Sequence, residues 1–144
     1  MNIRSALDEI IAMESALVIT DPINATIKRA YNYFPDRKSA MPDTPCWTNA
    51  WTLNRIESGF QDNRRQFYTV NAQLFVNDAD LSRAADIATG FHVALVGAAH
   101  VNSTLNGQAT DMTLRGGEPT LVLLEWAGQA YVGLNLYFDV ELFD

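Results

Sequence analysis

The sequence predicts an α+β fold: a mainly antiparallel sheet of about five strands, with two helices packed on one of its faces. Two observations lead there. Apolar residues recur at helical spacing in two places, near the N-terminus and after residue 80, and apolar–polar alternation of period two fills the segments between and beyond them. At 144 residues the chain fits one domain spanning 1–144. A globule of this size buries roughly 70% of the surface its unfolded chain exposes, enough for a core without staples. A hydrophobic content of 48% and a charged content of 19% are ordinary for a folded domain and argue against disorder of the whole chain.

Asn2 to about Val18 reads as the first helix, with Ile3, Leu7, Ile10, Ile11, Glu14, Leu17 and Val18 near one mostly apolar stripe. Asn2 or Ser5 caps its start, Asp8 and Glu9 lie early enough to favour the helix dipole, and Asp21-Pro22 stops it. Thr26 to Phe34, rich in β-branched and aromatic residues, predicts a strand, and Arg37 to Pro45 a loop by its turn chemistry. Cys46 to Leu53 alternates and predicts a second strand; Trp47 and Trp51, four apart, then share a face. Core packing is the favoured reading of that pair, and a subunit contact stays open, because Trp is enriched at interface hot spots. After a turn at Ser58-Gly59 comes the clearest strand, Gln66 to Val76, with Tyr68, Val70, Ala72, Leu74 and Val76 on one side.

The second helix is expected from about Leu81 to Ala98, with Leu81, Ala84, Ala88, Phe91 and Leu95 as its stripe. Asn102 to Pro119 reads as a long loop, the kind that is often functional. Thr120 to Trp126 and Ala130 to Phe143 form a hairpin around Ala127-Gly128-Gln129. Val132, Leu134, Leu136, Phe138, Val140 and Leu142 take the core face of its last strand.

Charge and cysteine content narrow the function classes. A formal net charge of −7 argues against a protein that binds nucleic acid by neutralising phosphates; the basic pairs Lys28-Arg29, Arg37-Lys38 and Arg64-Arg65 do not grow into a patch. The single cysteine, Cys46, rules out an internal disulfide and fits a reducing cytoplasm. The amphipathic N-terminus carries Asp8, Glu9 and Glu14, unlike a secretory signal, and the apolar runs fall short of the ~20 residues of a bilayer span. No membrane partner is expected.

Catalytic chemistry finds few candidates. His92 and His100 lie roughly 80° apart in helical projection, lack Cys or carboxylate partners, and read as surface or core-edge residues rather than metal ligands. Cys46 beside Trp47 reads as a small core hydrophobe. Asp139 and Glu141 share a strand face and invite a carboxylate-pair reading, but Asn135 and Tyr137 on that face make a solvated or interfacial surface the simpler account. Gly116-Gly117 lacks the Lys-Ser/Thr of a phosphate loop, and neither GxGxxG nor GxSxG occurs. No enzyme activity, metal or cofactor is expected.

Several local features recur together: Tyr31-Asn32-Tyr33-Phe34-Pro35 closing the first strand, Pro42-Asp43-Thr44-Pro45-Cys46-Trp47 entering the second, and Arg64-Arg65-Gln66-Phe67-Tyr68-Thr69-Val70 opening the third. A helix opened by Asp78 to Asp80 follows, and the chain closes with Trp126-Ala127-Gly128-Gln129-Ala130-Tyr131-Val132-Gly133 and an alternating strand. This layout, over nearly the whole length, resembles the tail terminator (tail-completion) proteins of long-tailed bacteriophages, with Tyr131-x-Gly133 and the Tyr/Pro pair of Tyr31-Asn32-Tyr33-Phe34-Pro35 as its best local marks. The resemblance implies a structural virion protein of the tail–neck region, made in the host bacterial cytoplasm. Such a protein forms a homo-oligomeric ring, commonly a hexamer, that seats on the tail tube, ends polymerisation and presents a surface to a head-completion or connector protein. DNA would pass through its channel unread, which an acidic chain suits. Loop length and charge place the assembly contacts at Arg37, Lys38, Arg64, Arg65, Arg115 and Glu118. The alternatives are a head–tail connector or tail-tube subunit and, from a different class, a small-ligand-binding α+β domain.

Overall fold

The computed structural model describes residues 1–35, 40–41, 43–59, 63–115 and 121–143. In chain order the elements are α1 (Ile3–Ser15), β1 (Val18–Ile19), β2 (Ala25–Thr26), β3 (Arg29–Tyr31), β4 (Cys46–Ser58), β5 (Arg64–Val76), α2 (Leu81–Val101), β6 (Asp111–Leu114), β7 (Leu121–Trp126) and β8 (Gln129–Phe143).

Helix α1 starts as expected, with Asn2 accepting a hydrogen bond from the Ser5 amide at 2.9 Å. It buries Ala6, Leu7, Ile10 and, alone among these in being charged by type, Glu14. It ends at Ser15, short of Val18, because the β-branched pair Val18-Ile19 pairs antiparallel with Ala25-Thr26 instead. Asp21-Pro22 therefore sits in the connection of a small hairpin rather than at a helix end. Asp8 and Glu9 lie beyond the first turn, so the dipole argument for them lapses.

The main sheet has six strands in the order β3-β4-β5-β8-β6, with β7 also on β8. All pairings are antiparallel except β3 with β4, which is parallel. Strand β8 organises the sheet: β5 lies along one side, while β6 and β7 lie end to end along the other, opposite Phe138–Glu141 and Gln129–Leu134 respectively. The sixth strand comes from within Asn102 to Pro119, which the sequence reads as loop. The four residues of β6 are too few for their alternation to be recognised, and its partner lies far along the chain. The strand expected over Thr26 to Phe34 divides as well. Ile27 turns into the core between β2 and β3, and Tyr33-Phe34 leave the sheet.

Both helices contribute to one core, on one face of the sheet. Ile10 of α1 and Ala84, Ala88, Phe91 and Leu95 of α2 meet Trp47, Val70, Ala72, Leu74, Leu134 and Phe138. The core faces read from alternation in β5 and β8 are the faces buried here, with Val132 only partly so. Helix α2 is capped by Asp80, which accepts from the Ser82 and Arg83 amides at 3.0 and 3.2 Å. Its inward stripe starts at Ala84, whereas Leu81 is 67% exposed. At 21 residues and mean hydropathy 1.3, α2 is long and apolar enough to cross a membrane by length and composition, although no single apolar run in it is long. In this fold its stripe lies on the sheet, and its outer face shows Val93, Val96 and Val101.

A second, smaller cluster sits on the opposite face: Met41, Cys46, Phe75, Trp126 and Tyr131, with Tyr31, Phe34 and Leu124 packed against it. Phe34 stacks on Trp126 with centroids 5.7 Å apart, and the Tyr131 hydroxyl accepts from the Met41 amide at 2.9 Å. The crossover between the parallel strands β3 and β4 is thereby tied to the sheet.

Candidate functional site

Strands β4 and β5 are longer than the core that covers them. Their pairing runs from Cys46↔Phe75 to Ser58↔Arg64, and β8 stays beside β5 as far as Arg65↔Phe143, so the far half of β4, backed by β5, forms an edge arm of the sheet. Trp47 and Trp51 do share a face, yet Trp47 is fully buried and Trp51 is 49% exposed. The difference marks where the helical layer ends. Trp51 sets its ring edge-on to Tyr68, with centroids 5.6 Å apart. The irregularity between Leu53 and Arg55 leaves Ile56 opposite Gln66 and hence on the same side as Leu53 opposite Tyr68. Trp51, Leu53 and Ile56 thus form an exposed apolar strip. Strand β3 covers the outer edge of β4 only at Cys46–Thr48; among the described residues no strand pairs with that edge from Asn49 to Ser58. An uncovered apolar edge is the feature that monomeric proteins normally suppress.

The other face of the arm is polar and internally matched. Arg55 lies over the Phe67 ring at 4.0 Å and pairs with Glu57 at 3.1 Å. Arg65 meets Glu141 at 3.2 Å. Arg115 forks onto Asp139, Nε to Oδ2 at 3.0 Å and Nη2 to Oδ1 at 2.9 Å, and lies 5.2 Å from the Tyr137 ring centroid. Its Nη2 also donates to the Thr69 hydroxyl at 3.3 Å, which accepts from Asn54 Nδ2 at 2.7 Å. The hydrogen bond to Asp139 raises the Arg115 pKa above its ordinary value.

Of the sequence-nominated assembly residues, Arg65 and Arg115 come together on this face, held by Glu141 and Asp139. Those are the two acids that had suggested a carboxylate pair, and each faces a guanidinium here. Arg64 points to the apolar-strip side, by its alternation with Arg65, and is exposed. Arg37, Lys38 and Glu118 lie outside the described residues. The Arg65–Glu141 proximity follows from strand parity and register, but Arg115 reaches Asp139 only because β6 aligns on β8.

No protein-family model matches this chain, and no curated protein is significantly similar to it. Its chemistry is therefore read from geometry alone.

His92 and His100, separated in helical projection, nevertheless line one groove of about 450 Å³ beside β6, with Ser103, Asp111 and Arg115. Burial lowers the His92 pKa from its ordinary value. Among the described residues no group of three His, Cys, Asp or Glu side chains is placed to hold a metal ion. Burial, reinforced by Asp43, pushes the Cys46 thiol up to about 12, so it packs as a neutral hydrophobe. The sequence places Glu14 on the helix stripe without giving it a role and gives no sign of Asn49; both are fully buried. Glu14 follows Leu7 and Ile10 on the inward stripe, and that spacing is the signal for its burial.

Proposed function

We propose that the chain is a ring-forming structural subunit that caps a bacteriophage tail tube, ends its polymerisation and offers a surface to the head-side connector. The single observation that carries this reading is the β4–β5 arm, with its uncovered edge and the strip Trp51, Leu53 and Ile56. Such an edge suits another chain, and a head-to-tail contact between unlike surfaces of identical subunits builds a ring where its rotation closes and a filament where it does not. The β6–β7 edge at the far side of the sheet, with Leu123 73% exposed, is the natural counterpart. Arg65 and Arg115 are satisfied within the chain, so the apolar strip, rather than these arginines, supplies most of the contact. Localisation in the virion neck, contact with the tube protein and connector, and unread passage of DNA belong to the same proposal, as does the absence of catalytic activity.

Light scattering of the purified protein, with electron microscopy in the presence of tail tubes, tests it. A closed ring on the tube end supports a terminator. An indefinitely growing tube supports the tube-subunit alternative, a ring that binds only the head side supports a connector, and a monomer indifferent to tubes overturns the whole reading. The groove beside His92 and His100 favours one other class, a small-ligand-binding domain, since two imidazoles and Ser103 line it. Histidine resonances that move with an added small anion, in a protein that stays monomeric, would favour it.

A further inference from the structure

The Glu14 carboxyl, at the C-terminal end of α1, has no exposed surface. Asn49 Nδ2 donates to Glu14 Oε1 at 2.7 Å and also to the Tyr31 carbonyl at 2.9 Å, which uses both amide hydrogens. Two buried atoms of this pair have no partner: Glu14 Oε2 and Asn49 Oδ1. Both are acceptors if Glu14 is ionised, and no arrangement of the pair then satisfies either. One proton resolves both vacancies at once, because a carboxylic acid facing a carboxamide joins it by two antiparallel hydrogen bonds.

We infer that Glu14 is held as a neutral acid whose Oε2–H donates to Asn49 Oδ1, forming a proton-dependent clamp between α1 and the root of the β4–β5 arm. The placement gives the clamp a role. Thr48 is the last β4 residue paired with β3, opposite Tyr31, and Asn49 is the next. Its side chain takes over the Tyr31 carbonyl and binds α1 where strand pairing stops. Deprotonation leaves a buried carboxylate whose Oε2 has no donor and stands beside an acceptor oxygen, a combination that loosens the arm's anchor.

The surrounding charges leave burial in control. On β3, Arg29 is drawn onto the Tyr31 ring at 4.7 Å, and the Tyr31 phenol is held above its ordinary value by burial. On β4 the Cys46 thiol is neutral. On α1 itself Glu9 accepts from Asn106, and Arg4 and Asp8 are exposed. Helix α2 brings Arg83, paired with Asp78 at 3.0 Å, and Asp86, His92 and His100. None of these governs Glu14. Burial raises its pKa from the ordinary 4.5 to about 8, with the Asn49 hydrogen bond acting in the opposite sense.

The sign follows from linkage. Between pH 4.5 and about 8 the folded chain holds a proton that the unfolded chain has lost. This contribution to stability is complete below pH 4.5 and declines as pH rises through the folded-state value. In Glu14→Gln the side-chain amide donates to Asn49 Oδ1 at every pH. The experiment compares thermal midpoints of the full-length protein and Glu14→Gln from pH 5 to 9, together with the infrared carbonyl band of a protonated carboxylic acid in the wild type at pH 7. The two midpoints should agree near pH 5 and separate progressively, Glu14→Gln becoming the more stable. The acid band should be present at pH 7, disappear on alkalinisation, and be missing in Glu14→Gln. Parallel midpoint curves, or no protonated-acid band in the wild type at pH 7, would overturn the clamp even if the variant failed to fold.

Discussion

Single atoms decide several features of this protein. A Cβ at Gly133 would collide with the Leu74 carbonyl and the Leu124 side chain, so the position between β5 and β7 admits glycine alone. Gly133→Ala is expected to destabilise the fold by about 1–3 kcal/mol, the usual range for overpacking, measurable as a lower urea midpoint. Tyr131, two residues earlier, is fixed by its bond from Met41, so Tyr131-x-Gly133 has a packing explanation independent of any family. In the β7–β8 turn both Ala127 and Gly128 adopt positive φ, 51° and 77°. Asparagine tolerates that region better than alanine, so Ala127→Asn should raise stability by up to about 1 kcal/mol in the same assay. An unchanged midpoint would mean that strand pairing, not the turn residue, sets the hairpin's stability.

Among the elements, the arm is where stability and function separate. Replacing Trp51, Leu53 and Ile56 together by Thr keeps good strand formers at exposed positions, so the circular dichroism spectrum and cooperative unfolding should persist. On the proposed function, the same variant should run as a monomer and fail to bind tube ends. A ring of wild-type size would remove the strip from the interface. By contrast, Arg115→Ala should leave the assembly intact, because its guanidinium is committed to Asp139 and Thr69 of its own chain; loss of the ring in that variant would return the contact to the arginines. Local periodicity made α1, α2, β5 and the β7–β8 hairpin legible in advance. It failed for β6 and for the Thr26 to Phe34 segment, where a few residues pair with distant partners and no local signal exceeds the noise of a short alternation.

For the whole molecule, net charge and core size are properties of composition, and both were available from the chain alone. A net charge of −7 disfavours a grip on phosphate, and the apolar content suffices for a single core. The α+β class, the inward faces of β5 and β8 and the stripe of α2 after Leu81 were likewise determined by the sequence, because each depends on spacing along a continuous segment. Tertiary structure alone decided the rest. It left Trp51 uncovered while burying Trp47, set Arg65 and Arg115 against Glu141 and Asp139, and enclosed Glu14 with Asn49. Each of these depends on where a second, distant element ends or aligns. Periodicity specifies which side of a strand is apolar; only the packed fold specifies how far along that strand its cover extends.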